Sequence, residues 1–297
     1  MSFSDDIKKS FSKGDTVIKL LYINIAVFLL VAVASIVGFL MVKPAIPEMA
    51  VSMLSVPSSP ESLLLKPWTI VTYMFTHRDV LHILVNMLWL YWFGKIFLEY
   101  FDQRKLVSVY ILGGLAGALA FIVSYNVFPV FTNAADGSVP MLGASASVMA
   151  IVFAVSAYVP DYTVLLILFG RVKIKYIALV IFILTSVVDF SSNSGGKLAH
   201  IGGAAMGFIF TLNYRKGRDA GKWVGKVIDA VVTLFRPRKK MKVTYKKATD
   251  DYEYNRRKKE HQEKINAILD KISKAGYDSL TREEKDLLFR ESQGKNL

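Results

Sequence analysis

Residues 20–41 form a run of 22 residues without one charged side chain. A helix of that length rises about 33 Å, enough for the ~30 Å hydrocarbon core of a bilayer. Lipid offers no hydrogen bonds to an open backbone, so a single run of this kind is expected to span as an α-helix. Ala32-Val33-Ala34 has the small-residue pattern of a signal cleavage site, but the apolar run continues seven residues past it, which predicts an uncleaved first helix. Further apolar stretches lie at about 79–98, 106–125, 141–158, 176–190 and 198–214. With 53% hydrophobic and 21% charged residues, the chain is too apolar for an ordinary soluble domain and too charged to lie wholly in a membrane.

The charge is segregated. Of the net +13, a balance of +10 falls in the last 83 residues, where 23 Lys and Arg face 13 Asp and Glu. In a six-span topology Lys8, Lys9, Lys13, Lys19, Arg104, Lys105, Arg171, Lys173, Lys175, Arg215, Lys216 and Arg218 share one side, and only Lys43, Lys66, Arg78 and Lys197 fall on the other. The positive-inside rule then places both termini in the cytoplasm, and the expected location is a bacterial cytoplasmic membrane. The fold expected is all-α: a six-transmembrane-helix bundle at 20–214 after a cytoplasmic segment at 1–19. A basic amphipathic helix at 215–240 lies in the interface, and a helical-hairpin tail occupies 241–297.

Between the spans, 42–78 reads as a long interfacial loop marked by Pro44, Pro47, Pro57 and Pro60. Residues 191–197, rich in Ser, Asn and Gly, are expected to be mobile, and Gly113, Gly114 and Gly117 give the third span a small-residue face. After the last span, Trp223, Val224, Val227, Ile228, Val231, Val232, Leu234 and Phe235 recur at helical spacing opposite Lys222, Lys226 and Asp229. The basic clusters at 236–240 and 256–259 adjoin membrane segments, so their expected partners are anionic lipid or a cytoplasmic protein, with no role in nucleic-acid binding. In the tail, Ile265, Ile268, Leu269 and Ile272 make one stripe, Gly276 fits a C-cap, and Thr281 with Glu284 has the capping-box spacing.

Three polar motifs interrupt the apolar spans. Gly143-Ala144-Ser145 opens the fourth, Ala199-His200 opens the sixth, and His82 with Asn86 opens the second. A lone small-residue serine motif, or a lone histidine or asparagine, is accounted for by helix packing; three at one depth are not. Ser145 lies 13 positions before Tyr158, His200 lies 14 before Tyr214, and Asn86 lies 12 before Leu98. Each is therefore about 18–21 Å above the cytoplasmic end, roughly 9–12 Å below the outer surface of the core. Ionisable groups at such depth are costly and mark functional sites.

The residue types make a complete set for acyl transfer. A serine hydroxyl needs a base, which His200 supplies. The oxyanion of a tetrahedral intermediate needs donors, which the Ser145 N–H, the Asn86 amide and His82 can provide at the head of a helix. No carboxylate sits at this level in the other spans, so the expectation is a Ser–His dyad with His200 oriented by packing. The chain has no cysteine, no HExxH and no pair of membrane aspartates, so thiol, zinc and aspartyl chemistry lack their parts and no cofactor or metal is expected. His77 reads as structural or solvated, and His261 carries no assignment.

Taken in order, Lys66-Pro67-Trp68, Thr72-Tyr73-Met74-Phe75-Thr76-His77, His82 with Asn86, Gly94 and Glu99, Gly143-Ala144-Ser145, and Ala199-His200 with Gly203 resemble the rhomboid family of intramembrane serine proteases. The likeness runs from residue 66 to 214. It implies a six-helix core, Ser145 as nucleophile, His200 as general base, and Asn86 with His82 at the oxyanion hole. It also implies transmembrane protein substrates, cut in or near a membrane helix. Two positions depart from the family pattern: Ala146 stands where glycine is commonest, and Met149 stands where an aromatic often stacks on the histidine. The alternative from another class is a non-catalytic rhomboid-like membrane chaperone or scaffold, which would be expected to lack Ser145 or His200. A solute transporter would show two related halves, and the sequence has no such repeat.

Overall fold

The computed structural model describes residues 14–132, 138–167, 169–218, 221–235 and 251–292. They form two compact units, divided between Arg236 and Pro237.

The first unit begins with α1 (Thr16–Leu40), four residues earlier than its apolar run, because Asp15 caps it: the carboxylate accepts from the Ile18 N–H at 3.1 Å and from Lys95 Nζ at 2.6 Å. Leu30, Phe39 and Leu40 are exposed on α1, a surface that suits lipid. Residues 42–78 are not the loop expected from the sequence. They fold into short helices, α2 (Ala45–Leu54), α3 (Pro60–Leu65) and α4 (Thr69–Thr72), and end in a 3₁₀ turn at Tyr73–Phe75. Helices of 4–10 residues show too few repeats for a period to appear. Between α2 and α3, β1 (Val56–Pro57) pairs antiparallel with β2 (Pro140–Met141), tying this segment to the chain just before Ser145.

Two long helices follow, α5 (Val80–Tyr100) and α6 (Gln103–Val127), then a short α7 (Pro129–Thr132). Among the described residues, α1, α5 and α6 are the helices both long and apolar enough to cross a membrane. Next comes α8 (Ser145–Tyr158), which starts later than the apolar stretch from 141. Fourteen residues rise only about 21 Å, and ten of them are buried, so α8 is the core of the unit and not a lipid-facing rod. The irregular backbone before it is buried too, at Met141, Gly143 and Ala144, and such backbone is tolerated at membrane depth only when protein lines it.

The link after α8 is a pair of antiparallel strands, β3 (Thr163–Leu166) and β4 (Gly170–Lys173), a small departure from the all-α expectation. α9 (Ile174–Phe182) widens into a π turn at Ile183–Val187. α10 (Ser194–Arg215) absorbs half of the segment expected to be mobile: Asn193 caps it, with its side chain accepting from the Gly196 N–H. Packing of α10 on α8 is backbone to backbone. A methyl group on Gly203 would lie 2.1 Å from the Ala146 carbonyl, and one on Gly207 the same distance from the Ala150 carbonyl. Gly202, by contrast, faces α6 at Ala116. The far end of the core is pinned by Arg215, which donates to the Ala157 and Tyr158 carbonyls at 2.9 Å.

A final helix of this unit, α11 (Lys222–Phe235), leaves Trp223 and Val227 exposed and turns Val224 inward. The basic cluster at 236–240 lies outside the described residues, as do residues 1–13 and 241–250. The second unit holds α12 (Asp251–Ala275) and α13 (Arg282–Ser292). Gly276, at φ +78°, ends α12, and Thr281 and Glu284 make the capping box with bonds of 2.7 and 3.3 Å. Ile268 and Leu280 are buried there, and His261 meets Glu291 at 2.5 Å.

Candidate active site

Ser145 is the first residue of α8. No side chain caps this helix, so its first-turn N–H groups, which have no intrahelical acceptor, give its head the positive end of a dipole. The chain reaches Ser145 through Gly143, whose φ of +127° is a conformation that favours glycine. A methyl group there would sit 2.9 Å from Cε1 and 3.2 Å from Nε2 of His82, and 3.8 Å from Oγ of Ser145. His82 and Ser145 thus flank the same glycine.

The segment before α5 cradles that bend. The Gly143 N–H donates to the Tyr73 carbonyl at 3.0 Å, and the Ala144 N–H to His77 Nε2 at 3.3 Å. Tyr73 is in turn fixed by its hydroxyl, which donates to the Gly114 carbonyl at 2.6 Å. His77 is fully buried, with its ring edge-on to His82 at 5.1 Å between centroids. It is structural, as read from the sequence, and not solvated. Accepting at Nε2 requires a neutral ring with its proton on Nδ1. The part that His77 and Tyr73 play in shaping the Ser145 bend has no signal in the sequence beyond their place in the Thr72–His77 motif.

Ser145, His82 and His200 line one cavity of about 450 Å³, together with Phe121, Tyr125, Met141, Asn193 and others. His82 is held there because Asp79 caps α5, accepting from the His82 N–H at 2.8 Å. Asn86 is not among the residues lining the cavity. It lies buried one turn further along α5, where its Nδ2 donates to the His82 carbonyl at 2.9 Å. That bond uses one of the two amide protons. Met149 is buried one turn after Ser145 on α8.

His200 is oriented by more than packing, which corrects the expectation from sequence. Its Nδ1 lies 3.1 Å from the carbonyl oxygen of Thr185, in the π turn of α9. A carbonyl only accepts, so Nδ1 carries the proton and Nε2 is left as the basic nitrogen. Sequence reasoning could not find Thr185, because a backbone oxygen has no residue signature.

The fold and cavity define a class: an integral membrane protein, mostly helical, with a serine and two histidines around a cavity at the head of a buried helix. Residues 65–217, just over half of the chain, match the Rhomboid domain. The chain belongs to the rhomboid family. Residues 248–294 match a second family, one of unknown function (DUF6576). Among curated relatives, RHOMBOID-like protein 12, mitochondrial, of Arabidopsis thaliana is 30% identical over 161 residues, 50% of this chain and 47% of that protein. Rhomboid-like protein 16, chloroplastic, of the same plant is 28% identical over 50% of each. Presenilin-associated rhomboid-like protein A, mitochondrial, of Danio rerio is 32% identical over 87 residues, 29% of this chain and 21% of that one. The chain spans about half or less of the length of these relatives.

Proposed function

We propose that this chain is an intramembrane serine endopeptidase that hydrolyses peptide bonds in or near the transmembrane helices of other membrane proteins. The observation that carries the reading is the sharing of one cavity by Ser145, His82 and a His200 whose Nδ1 is engaged by a carbonyl. Nε2 of His200 takes the Ser145 proton as Oγ bonds to the substrate carbonyl carbon, whose oxygen becomes an oxyanion. The Ser145 N–H and His82 are its donors at the cavity wall, with the second amide proton of Asn86, buried one turn behind His82, as the third. The imidazolium then protonates the departing amine as the C–N bond breaks, and water, deprotonated by the same nitrogen, releases the acyl group from Oγ. Family membership and the relatives' names do not by themselves separate protease from scaffold. Purified protein in detergent, tested on a panel of transmembrane substrates beside Ser145→Ala, does: cleavage that disappears in the variant supports the protease, and wild-type protein that binds the panel without cutting it supports the scaffold.

The same reading takes the bundle to have six spans, with α8, α9 and α10 as the shorter or more polar ones, and both termini on the basic, cytoplasmic side of a bacterial membrane. At that side a cleft of about 210 Å³ lies between the start of α6 and α11, lined by Arg104, Lys105, Lys222 and Lys226 with Asp102 and Asp229. Anionic lipid headgroups suit it, since each nearby cation contributes about 1 kcal/mol. Cysteine labelling of positions 10 and 260 from either side of sealed vesicles tests the orientation.

A further inference from the structure

The proton on His200 is aimed at a backbone oxygen, so whatever fixes that stretch of backbone fixes the base. The end of α9 is irregular. Its π turn is closed by the Val188 N–H on the Ile183 carbonyl at 3.0 Å, and the chain then leaves through Val188, at ψ 134°, and Asp189, at φ +48°. The last carbonyls of a helix have no intrahelical donor, and buried ones need a partner. Here α10 supplies the donors.

Lys197 and His200 are three residues apart on α10 and therefore lie on one face. Nδ1 of His200 meets the Thr185 carbonyl, while Nζ of Lys197 donates to the carbonyl of Val188 at 2.8 Å and to that of Asp189. Lys197 is only 9% exposed. The Asp189 carboxylate accepts from the Ser191 hydroxyl at 3.2 Å, so the bonds given for Lys197 go to main chain. Two carbonyls held by one side chain fix both the exit of the chain and its left-handed residue, which only a few non-glycine types tolerate. Thr185 is three residues before Val188, inside the turn that this exit closes.

We propose that Lys197 is a positioning residue for the base. By holding the Val188 and Asp189 carbonyls it keeps the Thr185 carbonyl on Nδ1 of His200, which fixes the proton there and leaves Nε2 as the basic nitrogen in the cavity that Ser145 shares. The end of α9 thereby takes the place that a carboxylate fills in a serine–histidine–aspartate triad, with a lysine behind the main chain. The proposal rests on the protease reading above. It also separates the role of Lys197 from substrate binding: loss of the lysine leaves the cavity walls and the nucleophile in place but frees the imidazole to turn or change tautomer.

The test is steady-state cleavage of a transmembrane substrate by purified full-length protein, with labelling of Ser145 by a small fluorophosphonate as a second readout of nucleophile activation. Lys197→Met is expected to lower kcat about 10- to 100-fold with KM nearly unchanged, the cost of a small misplacement of a catalytic group. Fluorophosphonate labelling should slow in parallel, and Lys197→Arg, which restores donors, should recover most of both. A folded Lys197→Met enzyme with kcat within about twofold of wild type, or one whose loss lies in KM alone, overturns the proposal. Should Lys197→Met fail to fold, Lys197→Leu, which likewise has no donor, is read by the same split: a loss in kcat supports the role, and unchanged kcat refutes it. Wild-type protein that neither cleaves nor labels would instead sink the protease reading.

Discussion

At the scale of single residues, the expectations divide by what each side chain does to the reacting atoms. On the protease reading, Ser145→Ala and His200→Ala remove the nucleophile and the base from the wall of a cavity and not from the packed core, so turnover should fall by about 10⁴-fold or more while the protein stays folded. Cleavage by either folded variant within about tenfold of wild type would remove that residue from the chemistry. His82→Ala and Asn86→Ala should each cost about 10²–10³-fold, the usual size for one oxyanion donor. The two differ in a way the structure makes specific: Asn86 also bonds the His82 carbonyl, so Asn86→Asp, which keeps an acceptor but loses the donor, should be as slow as Asn86→Ala. Ser145, His82 and His200 were legible in the sequence because polar groups at membrane depth are rare. Thr185 and the Gly143 bend were not, since one acts through a backbone oxygen and the other through a dihedral angle, +127° at Gly143.

At the scale of elements, the close approach of α10 to α8 fixes how far Ser145 stands from His200. Gly203 has no room for a side chain, with a carbonyl 2.1 Å from the position a methyl group would take. Gly203→Val must therefore push the helices apart and should destabilise by about 1–3 kcal/mol or more, read as a lower melting temperature in detergent together with lost turnover. A melting temperature equal to wild type would mean that the helices do not meet there. Access is a second property of elements, because on the protease reading a substrate helix has to reach the cavity from lipid. Phe182 on α9 packs edge-on to Phe153 at 5.3 Å between ring centroids, and Trp92 on α5 is exposed. Trimming either should speed cleavage of transmembrane substrates. Since the end of α9 also anchors His200, Phe182→Ala should gain less than Trp92→Ala, and the opposite order would argue against that anchor. The long helices could be read from apolar length alone, and the packing role of Gly203 and Gly207 from their spacing. The short helices of 45–72 and the β3–β4 pair could not, for they are set by contacts with the rest of the unit and not by a period of their own.

At the scale of the whole molecule, the chain joins a unit that holds the cavity to one that holds a helical hairpin, and each has its own buried residues. In the sequence the composition shifts from apolar to charged near residue 215, ahead of the boundary after Arg236, and nothing there gives the purpose of the hairpin; the matching family of unknown function adds a boundary and no role. The chain leaves α10 at Arg215, 15 residues after His200, which is about 22 Å along the helix axis. All the groups assigned to the chemistry lie before that point. Deleting 241–297 should therefore leave turnover of a purified transmembrane substrate within about threefold of wild type, while in cells it changes abundance, partners or retention at anionic membranes. The measurement is cleavage by full-length and truncated proteins at matched folded concentration, with vesicle binding at two contents of anionic lipid as the second axis. A truncation that melts like the full chain but cleaves nothing would show that the hairpin completes the site, and the separation of catalysis from tail would have to be abandoned.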